Sequence, residues 1–197
     1  MKKQAIIVGN GTTRKNYDLN TLPDVSTFLC GIAHREMNLT TLAGHKIYHV
    51  TVEEYRKDML LEDGISESDI LFPVDSVDHV EDPRYHNRFT NIPRNNSGMF
   101  AMKKAIQYGN TELSILGFDS LIQNDAKQSI SNMFEGKPET RARAEDNPNR
   151  IRYLDWFCLH NMFVNFYFVF DKEYEFYDVN ANNIHVISYE RFMKNVV

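Results

Sequence analysis

Two short segments carry residue types suited to an anionic ligand. The first is Gly9-Asn10-Gly11-Thr12-Thr13, directly after the apolar run Ala5-Ile6-Ile7-Val8. Glycines let a backbone approach a ligand closely, and N–H groups left free at the end of a parallel strand point at it. The second is Arg94-Asn95-Asn96-Ser97-Gly98, ahead of the most regular helical segment. A capped helix start with an arginine three residues before the cap favours a phosphate, because helix terminus and cation both attract negative charge. Each segment also has a plainer reading: the glycines turn the chain, and Ser97 only caps a helix. Together in one α/β chain they point to a nucleotide.

Other chemistries are less well supported. The glycine spacing is not G-x-G-x-x-G, since residue 14 is Arg14, and no acidic residue closes the second strand where a ribose would be read. A phosphate-loop lysine is absent from the required spacing, as is the G-x-S-x-G of a serine hydrolase. The seven histidines are scattered with no zinc-ligand spacing, so no metal is expected. Among acids that could serve as a base, Asp119 ends a strand and is best placed. Glu145 and Asp146 read first as surface carboxylates.

The elements that must position these residues follow from apolar periodicity. Ala5–Val8 reads as a strand buried on both faces, as in a parallel sheet covered by helices. Val25–Cys30, Lys46–Val52, Asp69–Val74, Leu113–Leu116, Glu173–Val179 and Ile184–Ile187 are further strand candidates. Glu53–Leu61 has helical composition. Ser97–Tyr108 is the clearest helix, with Met99, Met102 and Ile106 on one face and Gly109 at its end. Residues 123–149 lose periodicity and read as a lid or flexible loop. Arg150–Phe163 returns to a helix striped by Ile151, Leu154, Cys158 and Met162, and Phe166–Phe170 extends its apolar character. The expected fold is a single α/β domain over 1–197: a Rossmann-like, mostly parallel sheet flanked by helices, with a lid.

Composition narrows the partners. A formal charge of −5 argues against a general nucleic-acid or anionic-membrane binder, yet leaves room for a small anion held by a few aimed donors. Cys30 and Cys158 have no neighbours at metal-ligand spacing and read as buried apolar residues in a reduced compartment. The apolar stretch at the N-terminus is too short for a signal peptide or membrane span, so the cytoplasm is the default. The aromatic crowd from Trp156 to Tyr177 reads as core, with part of it open to a homo-oligomer interface.

At these same residues the chain resembles the bacterial family 42 sialyltransferases. Gly9-Asn10-Gly11-Thr12-Thr13 is similar to their opening Gly-Asn-Gly-Pro-Ser, and Phe28-Leu29-Cys30-Gly31 to their Phe-x-Cys-Asn. Arg94-Asn95-Asn96-Ser97-Gly98 matches their Arg-x-Thr-Ser-Gly at Arg, Ser and Gly. Gly117-Phe118-Asp119-Ser120-Leu121 resembles their Gly-Ile-Asp-Phe-Tyr. The resemblance covers about residues 1–35 and 92–121.

It implies a glycosyltransferase A-like nucleotide-binding domain with a lid, taking a CMP-sugar without a metal or other cofactor and passing the sugar to a glycan acceptor. It places Asn10, Ser97 and Gly98 around the nucleotide and phosphate, with Arg94 beside the donor; Gly9, Gly11, Thr12, Gly31 and Asn96 complete the expected binding set. The family uses a histidine base from the segment before its last long helix, and no histidine lies between His86 and His160 here. Asp119, Asp146 or His86 would have to replace it. Gly31 and Leu121 also stand where the family has Asn and Tyr. Two other readings stay open: a nucleotide-binding protein without catalysis, and an unrelated Rossmann-like enzyme such as a methyltransferase.

Overall fold

A computed structural model describes residues 3–38, 42, 44–73, 96–123 and 147–195. Seven strands form one sheet: β1 (Gln4–Val8), β2 (Ser26–Cys30), β3 (Ile47–Val50), β4 (Ile70–Leu71), β5 (Glu112–Leu116), β6 (Asn165–Phe170) and β7 (Ile184–Ser188). Every pairing is parallel, in the order β4-β3-β2-β1-β5-β6-β7. The helices are α1 (Glu54–Glu62), α2 (Ser97–Gln107), α3 (Asn147–His160) and α4 (Tyr189–Asn195). This is the expected α/β, Rossmann-like class.

The central strands are apolar because both of their faces are covered. Phe100, Met102, Leu154 and Phe157 of α2 and α3 pack with Ile7, Phe28, Ile115 and Phe168 on one face. On the other, Leu19, Leu22, Ala33 and Phe192 of α4 pack with Ile6, Val8, Leu29 and Val169. Both cysteines are free and buried, and burial pushes the Cys30 thiol up to about 12. The chain runs outward from β1 to β4, then returns through α2 to lay β5 on the other side of β1. Order therefore reverses between β1 and β5, and the C-terminal ends of these two strands flank the crevice in which open α/β sheets take ligands.

Three expectations need correction. The helix expected to run to Phe163 ends at His160, and the apolar run Phe166–Phe170 after it belongs to β6. There Phe166, Phe168 and Phe170 alternate with Tyr167 and Val169, a period of two that suits pairing with β5. Side-chain amides close the end of the helix: Asn183 donates to the Cys158 carbonyl at 3.0 Å and Asn161 to the Phe157 carbonyl at 2.8 Å. Met162 consequently leaves the buried stripe and is 66% exposed.

Glu173–Val179 is not a strand either. Two parallel neighbours need a crossover, and the chain from Asp171 to Asn183 supplies it. Asp155 of α3 holds that crossover by accepting from the backbone N–H groups of Asn180 and Ala181 at 2.8 Å. Phe176 makes one antiparallel bridge to Ile122. Finally, residues 147–149 open α3 instead of closing the expected lid, and the rest of that lid lies outside the described residues.

Candidate functional site at the sheet's switch point

The loop after β1 is clipped to the end of β5. Gly9 N–H donates to Leu116 O at 2.7 Å and Gly11 N–H to Gly117 O at 2.9 Å. These are N–H groups that the sequence leaves free for an anion; in the folded chain both are occupied. The glycines serve a close approach between chain segments. A Cβ at Gly11 would overlap the Asp119 carboxylate, and one at Gly9 would lie 2.5 Å from Gly117 O and 2.9 Å from the Phe118 ring.

Asp119 is the centre of that clip. It is 4% exposed, and it accepts from the Thr13 hydroxyl at 2.5 Å, the Thr13 N–H at 3.3 Å and the Thr12 hydroxyl at 3.3 Å. Burial raises its pKa, and the bonds from Thr13 and Thr12 oppose that rise. Arg14, fully buried, tightens the other side. Its Nε donates to Gly9 O, and its Nη1 and Nη2 form a bidentate pair with Glu36 at 2.8 Å each. The Tyr189 hydroxyl adds a bond to Thr13 O at 2.6 Å. The loop is thus tied to β5, to the turn after β2 and to α4.

The second segment meets the first through Phe118. A Cβ at Gly98 would overlap the outer edge of the Phe118 ring, whose other edge faces Gly9. Only glycine lets the start of α2 settle against that ring. The cap of α2 is Asn96, not Ser97: the Asn96 side chain accepts from Met99 N–H at 2.9 Å, and Ser97 is the first helical residue. The N–H groups of Ser97 and Gly98 belong to the first helical turn, where no carbonyl of the helix reaches back to them. Gly98 meets the same Phe118 ring as Gly9, the residue before Asn10.

Gly31 ends β2 beside Asn10. It has φ +62, in the left-handed region that favours glycine. A Cβ there would stand 2.7 Å from Arg56 Nη1 and 2.8 Å from Asn10 Nδ2, so these two side chains occupy the space that a residue 31 side chain would need. The buried Asn10 Oδ1 has no hydrogen-bond partner among the described residues.

The structure therefore brings Gly9, Asn10, Gly11, Thr12, Gly31, Asn96, Ser97, Gly98 and Asp119 to one edge of the sheet. Arg94, His86 and Asp146 lie outside the described residues. Several side chains at this edge were missed by sequence reasoning: Arg14, Arg56, Phe118, Tyr189, and the pair Asp171 and Tyr174. Asp171 follows β6 and is exposed, and it accepts from the Tyr174 hydroxyl at 2.8 Å. Burial, that bond and the charges of Asp171 and Asp119 push the Tyr174 phenol up to about 12. Asp171 does carry a usable signal, since it ends an apolar run as Asp119 does; Arg56 carries none, being one charge on a polar helix.

Fold and site together define a doubly wound α/β protein whose candidate site lies at the switch between β1 and β5. No protein-family model matches the chain, and no curated protein sequence does. Among solved structures, it is similar to the sialyltransferase CST-II in complex with a trisaccharide acceptor and CMP, with 17% identity, a TM-score of 0.44 and 98% of each chain covered. A single-residue variant of that sialyltransferase in complex with CMP gives 17% identity and a TM-score of 0.41 over 100% of each chain. UDP-glucose 4-epimerase from Thermotoga maritima, with UDP-glucose, gives 12% identity and 0.33 over 84% of this chain and 54% of that one.

Proposed function

We propose that this protein is a glycosyltransferase-like enzyme that binds a nucleotide sugar, CMP-linked by the motif resemblance, in the crevice between the ends of β1 and β5. The observation that carries this reading is the meeting of Gly9-Asn10-Gly11 and Ser97-Gly98 on Phe118, at the switch point of a doubly wound sheet. In this reading Asn10 and the first turn of α2 face the nucleotide, and the motif resemblance assigns Arg94 to the donor. Gly9, Gly11, Thr12 and Asp119 hold the loop that carries Asn10. In the transfer, the acceptor hydroxyl loses its proton to a base and its oxygen bonds the anomeric carbon. The bond from that carbon to the phosphate oxygen breaks, and the nucleotide leaves with the electron pair.

The base must come within hydrogen-bond reach of the acceptor. Asp119 has the right place in the sequence, but its oxygens are engaged by Thr12 and Thr13. The proton therefore goes to Asp171, whose residue is exposed at the same edge, or to Asp146 or His86. The engagement of Asp119 also favours a second reading, a protein that binds the nucleotide and transfers nothing.

A ligand that binds only the folded state raises its melting temperature. With CMP, CDP, UMP, UDP, GDP, S-adenosylmethionine and NAD compared side by side, CMP and CDP are expected to raise the Tm. Indifference to every pyrimidine nucleotide would refute the nucleotide-sugar reading, and a response to S-adenosylmethionine alone would favour a methyltransferase. Release of free sugar from a panel of nucleotide sugars separates transfer from binding alone.

A further inference from the structure

We infer that Arg56 and Asn10 form a phosphate subsite at the C-terminal end of β2, directly over Gly31. This deepens the nucleotide reading and rests on it for the identity of the ligand, though the subsite itself can be tested with an inorganic anion. The Arg56 side chain is 11% exposed, so its charge is poorly screened. It is held in place from the Nε side, which contacts Glu53 Oε2 and lies 2.9 Å from the Tyr55 hydroxyl, while the guanidinium stacks near the Tyr55 ring at 5.6 Å. Its Nη1 reaches the end of β2, 2.7 Å from where a Cβ of residue 31 would stand. Glu53, by contrast, has a 41% exposed side chain, where water weakens its field. The Arg56 charge is therefore the less screened of the pair on the side toward the sheet.

Asn10 supplies the second donor, with Nδ2 facing the same point as Nη1. A guanidinium fork beside an amide suits the spread oxygens of a phosphate. The absent side chain at residue 31 is what admits the two donors. With φ +62 and no Cβ, Gly31 lets the Arg56 fork come down onto the end of β2. A larger residue there would push the cation out of the crevice.

The test is calorimetric titration of the intact chain and of Arg56→Gln, Arg56→Lys and Gly31→Ala with CMP, cytidine and inorganic pyrophosphate at low ionic strength. Arg56→Gln should weaken CMP and pyrophosphate by about tenfold or more, the usual scale for a lost charge-assisted bond. It should leave cytidine, which has no phosphate, unchanged. Arg56→Lys should restore part of the loss, and Gly31→Ala should reproduce the loss with Arg56 still present. Circular dichroism on each variant verifies folding. Equal CMP affinity in Arg56→Gln and the unaltered chain would overturn the subsite while leaving the nucleotide reading standing. Arg56-dependent binding of pyrophosphate with no added affinity for CMP would uphold the subsite and overturn the nucleotide reading. Failure of the unaltered chain to bind either anion would overturn both.

Discussion

At the scale of single residues, the site is built from places where a side chain is missing. Gly98 and Phe118 come from segments that only the fold joins, and they fit because one lacks a Cβ and the other is flat. Gly98→Ala forces a methyl group into the ring and should destabilise the chain by about 1–3 kcal/mol, the usual cost of overpacking. Phe118→Leu alone should also destabilise. If the two side chains meet as described, the double variant will be more stable than the sum of the single effects, because the shorter leucine makes room for the methyl. Urea denaturation of the four proteins measures the coupling; strict additivity would show that Gly98 and Phe118 are not in contact. The same logic explains Asp119. Its position at the end of β5 suggests a catalytic base, yet its neighbours use it to hold the loop that carries Asn10.

At the scale of elements, the start of α2 separates two readings that look alike in sequence. Both Asn96 and Ser97 belong to residue types that cap helices. Asn96 takes the Met99 N–H, so Asn96→Ala should cost about 1 kcal/mol in thermal or urea unfolding. Ser97→Ala should change stability by less than about 0.5 kcal/mol, since alanine is tolerated at a helical position. A larger loss from Ser97→Ala than from Asn96→Ala would contradict the cap assignment. Freed from capping, Ser97 can present its hydroxyl to a ligand. The strands show a related distinction. Runs such as Ala5–Val8 and Leu113–Leu116 are legible because burial on both faces leaves few polar choices. Phe166–Phe170 is just as apolar, but a short apolar run after a helix does not by itself distinguish strand from helix, and pairing with β5 decides it.

At the scale of the whole molecule, stability should depend on pH through His49 on β3. His49 is 4% exposed and meets the His34 ring edge-on at 5.4 Å. Burial, with the neighbouring His34 charge adding to it and Asp69 opposing, lowers its pKa from 6.5 to about 4. The folded chain therefore keeps His49 neutral in a range where the unfolded chain protonates it. Above 6.5 neither state carries the charge and nothing is lost. As the pH falls from 6.5 to about 4, protons favour the unfolded chain and stability declines, by about 3 kcal/mol if the whole shift is expressed. In His49→Phe that part of the decline should vanish from urea midpoints measured across this range. An unchanged slope would place the titration elsewhere.

The amino-acid sequence by itself determined the parallel α/β class, most strands and α2, the burial of Cys30 and Cys158, and the two segments that meet at the site. These depend on local runs of apolar residues and on glycine at turns, which pattern alone expresses. Only the tertiary structure decided what those segments do. The N–H groups of Gly9 and Gly11 are taken by carbonyls of Leu116 and Gly117, Asp119 is claimed by Thr12 and Thr13, and the space over Gly31 is filled from α1 by Arg56. Hydrogen bonds and close contacts between residues far apart in the chain leave no periodic trace in it. Whether a donor is free for a ligand is therefore a property of the assembled sheet edge, where strands distant in sequence end side by side.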